Sequence, residues 1–252
     1  MEAIVMANNL NKDALGLKEQ IEKILIKTAK KTKTLQFAMN LPALDLHYTY
    51  SNTMANQRFH SASVGKIMTA TLLFMAIEQG KLTLDTRIKS ILTPGMLDKL
   101  FLYDGHDFQE EITIKHLLGH LSGINDYFES TTFDGSLFTE DLVRNPDIFW
   151  KPAELLDYTR NRQKAISRAG DKFFYSDTGY VLLGLIVESI FDIPFHQALE
   201  KYIFSPCDMQ ETDLCFYSKG FNPKVLSPLY INGIDVEQTW GRFFCLDNIA
   251  LN

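Results

Sequence analysis

The run of residues 64–77 most constrains what this chain can become, because it is apolar nearly all round yet too short to cross a membrane. A helix of that kind must be buried on most faces, so the fold has to bring other elements around it. The Gln79-Gly80 step supplies its C-terminal stop, since glycine readily takes the left-handed conformation that closes helices. Ser63 stands where this helix begins, and Lys66 follows three residues later on the same face of the first turn. A second strongly apolar helix is predicted over 181–191, stopped near Pro194, with 195–204 continuing as a further helix.

Around these two helices the pattern is mixed. Leu15, Leu17, Ile21, Ile24, Leu25 and Thr28 recur at helical spacing among Lys and Glu, which predicts an amphipathic helix over 13–33, capped by Asn11 or Asp13 and lying on a sheet. Two β-favouring runs, 35–41 and 44–50, are separated by Pro42 and predict a strand pair ending in a polar turn at 51–57. A short helix is expected at 113–119, loops from 125 to 152, and a helix at 154–162. Beyond Pro206 the chain thins into strand-like fragments and ends without an obvious final element. The fold class this predicts is α+β: an α/β sheet lobe with flanking helices beside a largely helical lobe.

Composition removes several classes of function. The 252 residues are 46% hydrophobic and 22% charged, enough for a sizeable core. A net charge of −6, with Lys and Arg scattered, offers no basic field for nucleic acid or an anionic membrane. Cys207, Cys215 and Cys245 form no C-x-x-C pair, so they read as free and structural. No apolar stretch has the length of a membrane span, and residues 1–12 lack the pattern of an export signal. The expectation as written is a cytoplasmic chain, exported if an N-terminal segment is missing.

A serine hydroxyl is a weak nucleophile until a neighbour takes its proton, and a lysine enclosed by apolar neighbours such as Ile67 and Met68 would be the base for it. The helix N-terminus also favours developing negative charge. Ser-x-x-Lys arises about once by chance in a chain of this length, and a serine N-cap followed by a snorkelling lysine explains the same residues. Tyr175-Ser176-Asp177 precedes the second apolar helix. A tyrosine there can relay a proton to a leaving group if nearby cations depress its phenol from about 10, or it can be a packed aromatic beside an N-cap. His116 and His120 stand four apart, the spacing of a two-histidine metal site on a helix, but no glutamate lies between them and no third ligand is evident. Gly119-His120-Leu121-Ser122-Gly123 misses the Gly-x-Ser-x-Gly nucleophile elbow by one position, which makes Ser122 structural on its own chemistry.

Three blocks in order carry a resemblance. His60-Ser61-Ala62-Ser63-Val64-Gly65-Lys66, continued by Glu78-Gln79-Gly80-Lys81-Leu82-Thr83-Leu84-Asp85, resembles the active-site helix and turn of class C β-lactamases, penicillin-binding proteins and related esterases. Residues 112–118 running into His120-Leu121-Ser122-Gly123 are similar to that family's supporting loop, and residues 174–184 to its tyrosine motif. The resemblance implies a β-lactamase/transpeptidase-like fold as one domain: 13–62 as N-terminal helix and strand pair, 63–205 as active-site helix and helical lobe, and 206–252 as a partial return to the sheet lobe. The site would lie in the cleft between lobes. It further implies a serine hydrolase in which Ser63 is acylated by an ester, amide or lactam, Lys66 and Tyr175 handle protons, the Ser63 N–H forms half an oxyanion hole, and Asp177 and Ser122 contact substrate. No cofactor or metal is implied, and the partner is a small molecule or peptide.

Two departures stand out. The family's third motif, Lys or His then Thr or Ser then Gly, is not found after Tyr175; Lys219-Gly220 lacks the middle residue. Asp177 stands where the family commonly has asparagine, and an ionised aspartate would hold Lys66 protonated. The aspartate favours an esterase-like over a lactamase-like reading. Both departures motivate the alternative of a non-catalytic or truncated homologue acting as a ligand-binding or regulatory protein. A sheet incomplete at the C-terminal side would expose an edge that an oligomer could cover.

Overall fold

In the computed structural model, the described residues are 2–53, 58–145, 148–220, 222, 226–228, 230–231, 234–235 and 249–251, with side chains described from residue 14 to residue 228. The elements run α1 (Glu2–Ala29), β1 (Gln36–Leu41), β2 (Leu46–Ser51), β3 (Phe59–His60), α2 (Lys66–Glu78), β4 (Leu102–Tyr103), β5 (His106–Asp107), α3 (Ile114–Leu118), α4 (Phe138–Arg144), α5 (Pro152–Arg162), α6 (Asp177–Phe191), α7 (Phe195–Leu199), β6 (Asp213–Leu214), β7 (Tyr230–Ile231), β8 (Ile234–Asp235) and β9 (Ile249–Leu251). The chain divides into two compact units, 1–58 with 227–236, and 59–226 with 237–252.

In the smaller unit β1 and β2 form an antiparallel pair, Leu41 opposite Leu46, joined by a 3-10 turn at Pro42–Leu44. Helix α1 packs on β2 and this turn. It begins at Glu2, well before the predicted cap at Asn11 or Asp13, and ends at Ala29 rather than at 33. Ala14 and Leu25 are buried, whereas Leu15 and Ile24 are exposed. At about 100° per residue, Leu15 and Ile24 lie off the face that Ala14, Leu17, Ile21 and Leu25 share. Part of the turn expected at 51–57 lies outside the described residues.

The larger unit is built around α6, which is buried along most of its length and packs against α2, α3, α5 and α7. Leu72, Leu73 and Ala76 of α2 meet Leu182, Leu183, Ile186 and Val187 of α6 in one core cluster with almost no exposure. The two helices read as apolar from sequence therefore form the centre of this unit. Phe195–Phe204 is helical as expected, α7 continuing into a π-helical turn at Glu200–Phe204. Helix α4 lies within the region where loops were expected to dominate, anchored by the buried Phe138 and Leu142. Phe138 makes edge contacts with Tyr127, Trp150 and Tyr158, so aromatic packing supplies what seven residues of helix propensity cannot.

The tail does contain a final element: β9 pairs antiparallel with β3 on one side and β6 on the other, giving the sheet order β3-β9-β6. Short antiparallel ribbons, β4 with β5 and β7 with β8, complete the elements. Among the described residues, no single helix is long and apolar enough to cross a membrane.

Candidate active site

Strand β3 delivers the chain to a 3-10 turn, Ala62–Gly65, that runs directly into α2. Ala62 has φ 46°, a left-handed conformation that costs a residue with a Cβ about 1 kcal/mol. Beyond it Ser63 is exposed, while Lys66 is buried at 6% exposure.

Tyr175 reaches the same place from a loop that is stitched to residues 120–123. Ile166 N–H donates to the Gly123 carbonyl at 2.8 Å, Gly170 N–H to Leu121 at 2.7 Å, and Phe174 N–H to His120 at 2.9 Å. Ser176 then caps α6, its Oγ accepting the Gly179 N–H at 3.2 Å and donating to the Asn125 carbonyl at 2.9 Å. Asp177 opens that helix and points a buried carboxylate back at Lys66.

Four side chains of the larger unit thus converge. Tyr175 Oη donates to Ser63 Oγ at 2.7 Å, and Lys66 Nζ donates to the same oxygen at 3.4 Å. Lys66 Nζ lies 2.5 Å from Asp177 Oδ1, with both side chains less than one-tenth exposed. The ammonium also sits 5.0 Å and 5.3 Å from the ring centres of Tyr175 and Tyr180. What encloses Lys66 is therefore this aromatic and acidic lining; Ile67, expected to shield it, is exposed at 66%. One residue further round the helix is enough to turn a side chain from the site to the surface.

The phenol of Tyr175 is pushed above its ordinary value, chiefly by burial; its bonds from Lys66 and to Ser63 pull it down, and Asp177 pushes it up. Depression by nearby cations, as the sequence suggested, is outweighed, and Tyr175 stands as a neutral donor. His120 stacks on Tyr175 at 4.4 Å and on Tyr180 at 5.0 Å between ring centres, and its Nδ1 accepts the Ser176 N–H at 3.1 Å. Burial, then Lys66, lowers its affinity for a proton. A neutral ring accepting at Nδ1 carries its proton on Nε2.

Ser122 is buried, and its hydroxyl accepts the Ile124 N–H at 3.4 Å. His116 and His120 do not share a helix face: α3 ends at Leu118, His120 has φ 54°, and His116 Nδ1 accepts the Thr113 N–H. Among the described residues no three His, Cys, Asp or Glu side chains are grouped to hold a metal. Cys207 is exposed and Cys215 is buried near His60, while Cys245 lies outside the described residues. Sequence reasoning missed Asp126, which is 1% exposed and accepts the Asp177 N–H at 2.8 Å through Oδ1 and the Glu129 N–H at 2.7 Å through Oδ2. Its only sequence signal was an acid shortly after Gly123, inside a stretch read as loop.

A family model described as Beta-lactamase matches residues 46–223. The chain belongs to the Beta-lactamase family. This Beta-lactamase family member is 29% identical over 170 residues to Penicillin-binding protein 4* of Bacillus subtilis (strain 168), covering 67% of the chain and 33% of that protein. It spans about a third of the length of the curated relatives it matches. The D-amino acid amidase of Ochrobactrum anthropi SV3, in complex with L-phenylalanine, has the same fold at TM-score 0.73 and 21% identity, over 94% of this chain and 66% of that one. The octameric penicillin-binding protein homologue of Pyrococcus abyssi aligns at TM-score 0.71 and 21% identity, over 93% and 53%. The Beta-lactamase fold expected from the sequence blocks is thus the one adopted.

Proposed function

We propose that the chain carries an acyl-transfer site in which Ser63 Oγ attacks the carbonyl of an ester, amide or lactam. The observation that supports this most is the pair of donors on one hydroxyl, Tyr175 at 2.7 Å and Lys66 at 3.4 Å, on an exposed serine at the head of a helix. Lys66, 2.5 Å from Asp177, acts as the base after it loses one ammonium proton to solvent and becomes a neutral amine. That amine accepts the Ser63 proton as the Oγ–carbon bond forms; Tyr175 gives its proton to the leaving group as the carbon–leaving-group bond breaks. Lys66 then returns a proton to Tyr175. Water hydrolyses the acyl-serine by the reverse proton path. The Ser63 backbone N–H, at the head of α2, is the donor that this reading assigns to the charge on the acyl oxygen.

The family relatives include a penicillin-binding protein and a D-amino acid amidase, which makes a small amide or peptide the substrate class to try first. An octameric relative likewise makes self-association a property to measure, with native mass spectrometry as its test.

Intact-mass analysis after exposure to a fluorescent penicillin and, separately, to an activated ester tests the reading. A single adduct that Ser63→Ala abolishes is expected, with steady ester release if deacylation follows. A folded chain that takes neither label would leave the second reading, a ligand-binding relative without turnover, which the tight Lys66–Asp177 ion pair favours by keeping the amine charged.

A further inference from the structure

Behind Asp177 lies a second buried carboxylate. Asp126 is the more enclosed of the two, and both its oxygens are committed to backbone amides, Oδ1 to Asp177 and Oδ2 to Glu129. The rest of its segment is tied to the same helix start. Tyr127 N–H donates to Thr178 Oγ1 at 3.0 Å, Thr178 meets Thr159 of α5 at 3.1 Å, and Gln163 Nε2 donates to the Asp126 carbonyl at 2.8 Å. No lysine, arginine or histidine pairs with Asp126 among the described residues. Lys66, the cation of the array among the described residues, is engaged by Asp177.

We propose that Asp126 is a positioning residue for the acyl-transfer site: it fixes Asp177 through the backbone, and its charge sets how firmly Lys66 keeps its proton. This rests on the proposed acyl transfer at Ser63. Charges in a dry place have to balance. One ammonium can balance one carboxylate, and a second carboxylate adjoining the first is disfavoured as an anion unless water reaches it. Burial, and next the Asp177 charge, push Asp126 up to about 6, against the bonds from Glu129 and Asp177 that pull it down. The groups that act on it are the Asp177 carboxylate from α6 and the backbone amides of Asp177, Glu129 and Phe128; Lys66 of α2 pairs with that Asp177 carboxylate. Where the family commonly has asparagine at position 177 this contest would not arise. It is a property of a chain that carries aspartate there.

Two states of the site follow. With Asp126 neutral, the Lys66–Asp177 pair is balanced, and the amine is freed more easily. With Asp126 ionised, a second negative charge holds the ammonium proton, and the rise of acylation with pH is displaced upward.

Two measurements on the full chain test this. The first is Ser63 acylation by an activated ester across pH. Asp126→Asn should move the rising limb to lower pH by about half a unit, about threefold faster at a fixed pH on that limb. A merely structural role predicts slower labelling with an unmoved limb. The second is the thermal midpoint across pH for wild type, Asp126→Asn and Asp177→Asn. An acid raised on folding contributes stability that is complete below its unfolded value near 3.9 and lost as pH rises through about 6. Wild type should show that decline, Asp126→Asn should lack it, and Asp177→Asn should show it at lower pH. Superimposable pH dependences in all three chains overturn the proposal. If wild type takes no acyl group, the acyl-transfer reading fails while the midpoints still decide the Asp126–Asp177 coupling. If Asp126→Asn does not fold, Asp177→Asn against wild type makes the same comparison.

Discussion

Ser63 Oγ accepts from two unlike donors, a compact ammonium at 3.4 Å and a phenol at 2.7 Å. The shorter bond comes from the group that burial keeps neutral, so it persists through neutral pH instead of being lost to a phenolate. Tyr175→Phe removes that bond and keeps the ring on which His120 stacks. The expected outcome is Ser63 labelling slowed about a hundredfold or more, with a thermal midpoint close to wild type, checked by timed mass spectrometry and a melt on the same sample. Ser63, Lys66 and Tyr175 were legible in the sequence because a short spacing on a helix and a block before a second helix give their relative positions. Asp126 was not, since its meaning depends on which N–H its carboxylate meets, a contact made between a loop and a distant helix start.

Between residue and molecule, the element that places Tyr175 is the loop His120-Leu121-Ser122-Gly123. Its carbonyls receive three amides from residues 166–174. Gly123 has φ +76°, and a Cβ there would stand 2.1 Å from the Ser167 carbonyl oxygen. Both the backbone conformation and the space therefore demand glycine. Gly123→Ala should cost about 3 kcal/mol or more, read from denaturant unfolding, and should depress labelling in whatever fraction remains folded because the tyrosine loop hangs from this seam. The resemblance identified this segment as a supporting loop but could not reveal what it is bonded to. Helix α4 escaped for a related reason: its seven residues are held by Tyr127, Trp150 and Tyr158, which lie outside any local window.

Across the larger unit, α6 is the member that α2, α3, α5 and α7 all touch. Leu183 at its middle has no exposed surface, and Leu183→Ala should lower unfolding free energy by 2–5 kcal/mol, about the usual range for such a cavity. Equilibrium denaturation measures this, and penicillin labelling of the folded fraction should be nearly unchanged, since Tyr175 and Asp177 lie at the start of α6, and Ser63 and Lys66 at the start of α2, rather than at its middle. The apolar helices α2 and α6 were legible because continuous hydrophobicity fixes burial regardless of neighbours. The sheet was not, because β3, β6 and β9 are two or three residues each and acquire meaning only when paired.

That pairing has a consequence for the order of events during synthesis. Phe59 and His60, the residues that feed the Ser63 turn, are hydrogen-bonded to Leu251 and Ala250. A ribosome makes the helices of the larger unit in succession, and each can begin to pack as it emerges, but β3 waits for β9 across nearly the whole unit. Contacts so far apart along the chain close slowly. The strand that leads to Ser63 is thus among the last pieces to be secured, and a nascent chain can hold a nearly complete hydrophobic core before that serine is held in place.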